Sequence, residues 1–228
     1  MNTESAVALS GQRSFHVMRG GGDGPRVQRL RDILIHALPT SESREVNLYR
    51  LANMLNVWRG LWRILVARLF GLSNFYGAVY AQVTRANGTV LDLGLISLRV
   101  VTDTGVGYIV DAFQNTVELE NMKYHGFGTG SNAEAAANTA LHTELTTQYA
   151  SDNVRPTGST TEGASANIYR TVGTLSPDAT VAITEHGIFS QAAVAGGVLI
   201  DKSLFSAINL ISGDSLQVTY DLTFTSGS

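Results

Sequence analysis

The hydrophobic period of this chain changes once, near Ser73, and that change limits the folds open to it. Before it, Leu51, Leu55, Trp58, Trp62, Leu65 and Leu69 recur at spacings of three and four, which places them on one stripe of a helix. Thr40-Ser41-Glu42-Ser43 supplies an N-terminal cap and Gly71 a stop. After it the pattern alternates: Tyr76, Ala78, Tyr80 and Gln82 are interleaved with Gly77, Val79, Ala81 and Val83, as a strand with two unlike faces requires.

Asn87-Gly88 is a hairpin signal, so 76–83 and 90–101 are expected to pair. Residues 104–119 fit a short helix, 122–127 a strand, and the alanine-rich 133–146 another helix. The last 75 residues read as strands, with alternation at 166–172, around Val181 and Ile183, and at 216–224. Ser176-Pro177-Asp178, Ala195-Gly196-Gly197 and Ser212-Gly213-Asp214 are the turns between them. Helices do not alternate with strands there, so parallel winding is disfavoured. The expected fold is mainly β with α, an antiparallel sandwich-like domain. Its divisions are an irregular arm over 1–44, an amphipathic helix over 45–72 and a β-rich body over 73–228. Within the arm, Gly20 to Pro25 is a break and 26–38 suits a short helix stopped by Pro39.

Charge is divided along the same line. Residues 1–85 hold eleven arginines, no lysine and five carboxylates, a balance of +6; the remainder holds five cations and fourteen carboxylates, a balance of −9. Two parts of opposite sign face different partners, or the basic part of one copy lies on the acidic part of another. The arginines are interleaved with leucine and tryptophan, so the helix suits protein better than nucleic acid or a bilayer, and contact with either of those is not expected. No signal segment is expected, because the first 20 residues lack a continuous apolar stretch and a small-residue cleavage site, and no transmembrane segment, because Arg50, Arg59, Arg63 and Arg68 interrupt the most apolar window.

Little in the sequence points to chemistry. There is no cysteine, which removes thiolate catalysis and cysteine-ligated zinc. Gly126 to Ser131 lacks the dinucleotide and P-loop patterns and reads as a tight strand-to-helix turn. His16, His36, His125, His142 and His186 show no helical metal-pair spacing. Glu185 and His186 are neighbours, but adjacent strand residues point to opposite faces and make a poor dyad. No G-x-S-x-G nucleophile turn occurs. The expectation is a protein that is not an enzyme, with no cofactor, metal or small-molecule substrate.

Several stretches carry a resemblance: 123–130 (KYHGFGTG), 161–170 (TEGASANIYR), 183–190 (ITEHGIFS), 196–202 (GGVLIDK) and 213–220 (GDSLQVTY). Together they resemble virion structural proteins of tailed bacteriophages, over roughly residues 88–226. The resemblance implies a capsid decoration (cement) protein, located in the virion after assembly in the host cytoplasm, that stabilises the shell by binding the major capsid protein. It also implies a homo-oligomer, with a trimer favoured. The alternative is a tail or fibre component, or a module that binds the host surface. The residues expected to form the interface are Leu51, Leu55, Trp58, Arg59, Trp62, Arg63, Leu65, Arg68 and Phe70, the arginines pairing with acidic rims; the alternative is that the same stripe packs on the chain's own β domain. Loss of residues 1–72 is expected to leave a folded β domain.

Overall fold

The computed structural model describes residues 35–41, 43–71, 74–99 and 101–225. Most of the arm, and with it the greater part of the short helix expected at 26–38, lies outside the described residues; 35–37 are helical. The long helix α1 spans Arg44–Leu69. It is followed by β1 (Asn74–Thr84), β2 (Val90–Arg99), helix α2 (Asp103–Phe113), a 3-10 turn (Leu119–Asn121) and β3 (Tyr124–Gly128). Then come β4 (Thr161–Glu162), β5 (Ile168–Leu175), β6 (Val181–Phe189), β7 (Leu199–Leu210) and β8 (Ser215–Thr225).

The protein is mainly β, built from two antiparallel sheets. Five strands in the order β2-β1-β8-β5-β4 form one, and three in the order β3-β6-β7 form the other. The hairpin between β1 and β2 turns where Asn87-Gly88 requires it, with Gly88 at φ +83° and the Arg85 amide donating to Thr89 O at 2.9 Å. All three later turns also separate strands as expected. One row of β1, carrying Val79, Ala81 and Val83, faces the three-stranded sheet and joins Phe127, Ile183, Ile188, Leu216 and Val218 in the main core. The opposite row, Tyr76 and Ala78, meets Leu95 and Leu98 of β2 and Val57, Leu61 and Ile64 of α1 in a second core. Because α1 covers it, the latter part of β2 is buried on both faces.

Two expectations fail here. The helix expected at 133–146 does not form; the segment belongs to a long irregular excursion between β3 and β4. Tertiary bonds outweigh alanine's helix propensity. Glu134 is drawn into an ion pair with Arg99 (2.7 Å), while the amides of His142 and Thr143 donate to Glu185 at 3.0 and 2.7 Å. Consequently the glycine-rich turn leads from a strand into a loop, not into a helix. The helix expected at 104–119 is also shorter, ending at Phe113 before Asn115 takes φ 58°.

Candidate interaction surface

α1 occupies its position because its inner face satisfies strand edges that would otherwise be open. Ser43 caps it, accepting from the Val46 amide at 3.4 Å, and Glu45 and Arg68 sit at the ends where the helix dipole favours them. Val46, Arg50, Asn53, Val57, Gly60, Leu61 and Ile64 are buried. Arg50 donates to Leu93 O, Asp92 O and Leu38 O at 3.2, 3.0 and 3.1 Å, tying β2 to the chain before the helix. Asn53 Oδ1 accepts from the Ser206 amide at 2.8 Å, and the Tyr49 hydroxyl donates to Ser206 O at 2.8 Å. Both groups of Ser206 belong to the outer edge of β7. An unpaired strand edge is a template for aggregation, and α1 seals two of them.

The other face of the helix has no such role. Leu51, Leu55, Trp58, Trp62, Leu65, Leu69 and Phe70 are between 42% and 74% exposed, as is Leu48. Arg59 and Arg63 are exposed and Arg68 is half-buried. None of the three forms an ion pair with a carboxylate among the described residues. The nine interface residues expected from the sequence therefore lie on the outer and flanking surface of α1, away from the β body. The residues that dock the helix on its own body are a different set, which the sequence reading did not single out. Leu61 apart, they recur at alternating steps of four and three from Val46 to Ile64, a second stripe obscured by Arg50, Asn53 and Gly60. A helix apolar on two faces needs cover on both. The described residues cover one.

The remaining candidates for chemistry lie inside the sandwich. His125 Nδ1 and His186 Nε2 are 3.0 Å apart, and His125 Nε2 is 3.0 Å from Thr171 Oγ1 on the facing sheet. Burial lowers the His125 pKa to about 3; burial and the neighbouring imidazole hold His186 well below its ordinary value. Glu185 points the other way, as strand alternation requires. It pairs with Lys202 at 3.2 Å and receives the loop amides. Arg155 binds Glu144 through two nitrogens (2.5 and 2.9 Å), donates to three carbonyls and stacks 3.5 Å over Phe189. Burial pushes Asp201 up to about 7, only partly opposed by Ser203 and Tyr220. Its Oδ2 and the Tyr220 hydroxyl crowd Gly77 without a well-aligned hydrogen bond.

These groups are buried: His125 reaches Thr171 across the two sheets, while Glu185 and Arg155 hold the excursion between β3 and β4. An open cleft of about 740 Å³ beside α2 has Asp111 and Glu118 among its lining, with no imidazole or amine there. No three His, Asp or Glu among the described residues are grouped to hold a metal. No helix among them is long and apolar enough to cross a membrane. No protein-family model and no curated protein matches the sequence.

Proposed function

We propose that this chain is a structural protein of tailed-bacteriophage particles, acting as a capsid decoration protein that fastens neighbouring subunits of the shell. One observation carries the reading: a helix locked to its own body by Arg50, Asn53 and Tyr49 turns a row of leucines and tryptophans outward. Apolar surface of this kind on a rigid support marks a site of association with protein. The resemblance of residues 88–226 to virion proteins supplies the setting. The basic N-terminal part, at +6, suits acidic rims on the shell.

The mechanism is adhesive. Burying apolar surface yields about 25 cal/mol per Å² before the costs of association, and several contacts from one oligomer act multivalently. The test is to locate the protein in intact particles by electron cryomicroscopy or labelled antibody. A lattice over the shell is the expected result; signal confined to the tail would replace this reading with a tail or fibre role. The attachment variant should be Arg59→Glu with Arg63→Glu, exposed cations of the same helix, not a deletion of 1–72. Deletion strips α1 from Leu95, Leu98 and the β7 edge, so the body is not expected to stay intact without it.

A further inference from the structure

The outward face of α1 has a more specific pattern than exposure alone. Leu48, Leu55, Trp62 and Leu69 are spaced seven residues apart, and Leu51, Trp58 and Leu65 each follow three residues after one of them. This is the repeat of a coiled-coil seam, in which the two alternating positions form a narrow strip of period 3.5. It continues unbroken for about 32 Å of helix. The inner stripe of the same helix is occupied by the β body, so the seam is presented on a fixed mount.

We infer that the occupant of this seam is the α1 helix of further copies of the chain, packed in parallel to form the central bundle of a homo-oligomer with the β bodies outside. The inference rests on the proposed function for its setting and names the partner at that same surface. Three observations favour a second copy. First, a heptad seam is complementary to another heptad seam of the same period, and seven consecutive seam positions here are Leu or Trp. Second, the seven side chains leave roughly 800 Å² in solvent at the fractions observed, which is the share one partner gives to a standard interface. Third, the flanking charges accept one orientation. The midpoint of the seam falls between Trp58 and Arg59, so antiparallel pairing would set Arg59 against its own copy, with no carboxylate nearby. Parallel pairing sets it opposite Met54 of the partner subunit, where no like charge opposes it.

The absence of cysteine makes the test direct. The mass of the full chain is measured by size exclusion with light scattering, for wild type and for Leu55→Glu with Trp58→Glu. The expected result is twice the mass of the 24.4 kDa chain or a higher whole multiple for wild type and a folded monomer, with unchanged far-ultraviolet dichroism, for the variant. Leu51→Cys and Leu65→Cys, each alone, are then oxidised with glutathione disulfide. Each is expected to cross-link with itself, because parallel copies bring equivalent positions together. A monomeric wild type overturns the inference, as does a variant that remains oligomeric. Cross-linking only when the two cysteine variants are mixed refutes the parallel arrangement. A monomer that co-floats with anionic lipid vesicles assigns the seam to a membrane instead and also overturns it. None of these outcomes depends on shell attachment. A homo-oligomer that fails to decorate particles removes the cement role and leaves the seam assigned; a monomer that decorates them does the reverse.

Discussion

Gly60 of α1 rests against the main-chain carbonyl of Leu98 on β2, so closely that a Cβ at residue 60 would overlap it. In an ordinary helix interior, replacing glycine by alanine stabilises by about 1 kcal/mol. Here Gly60→Ala should instead destabilise by about 1–3 kcal/mol, because the helix must move off the sheet to make room. A shift of the urea midpoint to higher concentration would refute this close approach.

The two faces of α1 should respond differently to truncation. Leu61→Ala and Ile64→Ala remove buried packing and should each cost about 2–4 kcal/mol of fold stability. Trp58→Ala and Trp62→Ala, measured in solution dilute enough to keep the chain monomeric, should change it by no more than about 0.5 kcal/mol. Equal losses on both faces would place the tryptophans inside the subunit.

Acid should weaken the fold through the paired imidazoles. Folded His125 titrates near 3 and His186 well below its ordinary value, whereas an unfolded histidine titrates near 6.5. Below 6.5 the unfolded chain binds the protons that the folded core rejects. Stability from this pair is thus complete above about pH 6.5 and declines as pH falls toward 3. His125→Gln, which keeps a hydrogen-bonding group but does not titrate, should flatten that decline. An unchanged slope between pH 6.5 and 4 would show that other groups govern it.

Asp201 works in the opposite direction. Its folded pKa near 7 lies above the ordinary 3.8, so the folded state holds the proton more tightly. Its penalty is absent below pH 3.8 and grows as pH rises to 7, then levels off. Asp201→Asn should therefore stabilise the protein at pH 8, on the order of 2–4 kcal/mol, and do little at pH 4. Denaturant titrations at the two pH values measure the difference, and equal effects would contradict a neutral buried acid.

Arg155 is the main tether of the excursion between β3 and β4, joining Glu144 to the carbonyls of Gln191, Ala193 and Gly196. Arg155→Ala leaves Glu144 without its counter-ion and should cost about 3–5 kcal/mol. Hydrogen exchange should speed up first at the amides of Leu145, Asn153 and Arg155, whose acceptors lie within or beside this excursion. Protection equal to wild type would show that the Glu134 and Glu185 contacts hold the loop without Arg155.

Where side-chain chemistry acts locally, the sequence was a reliable guide. Asn87-Gly88 turns a hairpin because glycine reaches positive φ, and the alternating rows from Tyr76 to Val83 divide between two cores because successive side chains on a strand point to opposite faces. Glu185 and His186 separate for the same reason. Failure came where distant groups compete for the backbone. Residues 133–146 have the composition of a helix, but Glu134 is claimed by Arg99, and the amides of 142 and 143 are claimed by Glu185 from across the sheet.

By itself, the sequence determined the mainly β character, the long helix and the outer leucine–tryptophan stripe, since periodicity and turn chemistry are read within a few residues. Only the tertiary structure decided which face of that helix is spoken for. Both faces are apolar enough to be buried, and local pattern cannot rank them. The choice was made by groups far along the chain: the carbonyls of Asp92 and Leu93 and both backbone groups of Ser206 needed cover. Arg50, Asn53 and Tyr49 meet them, Gly60 lets the helix approach Leu98, and this leaves Trp58 and Trp62 facing water.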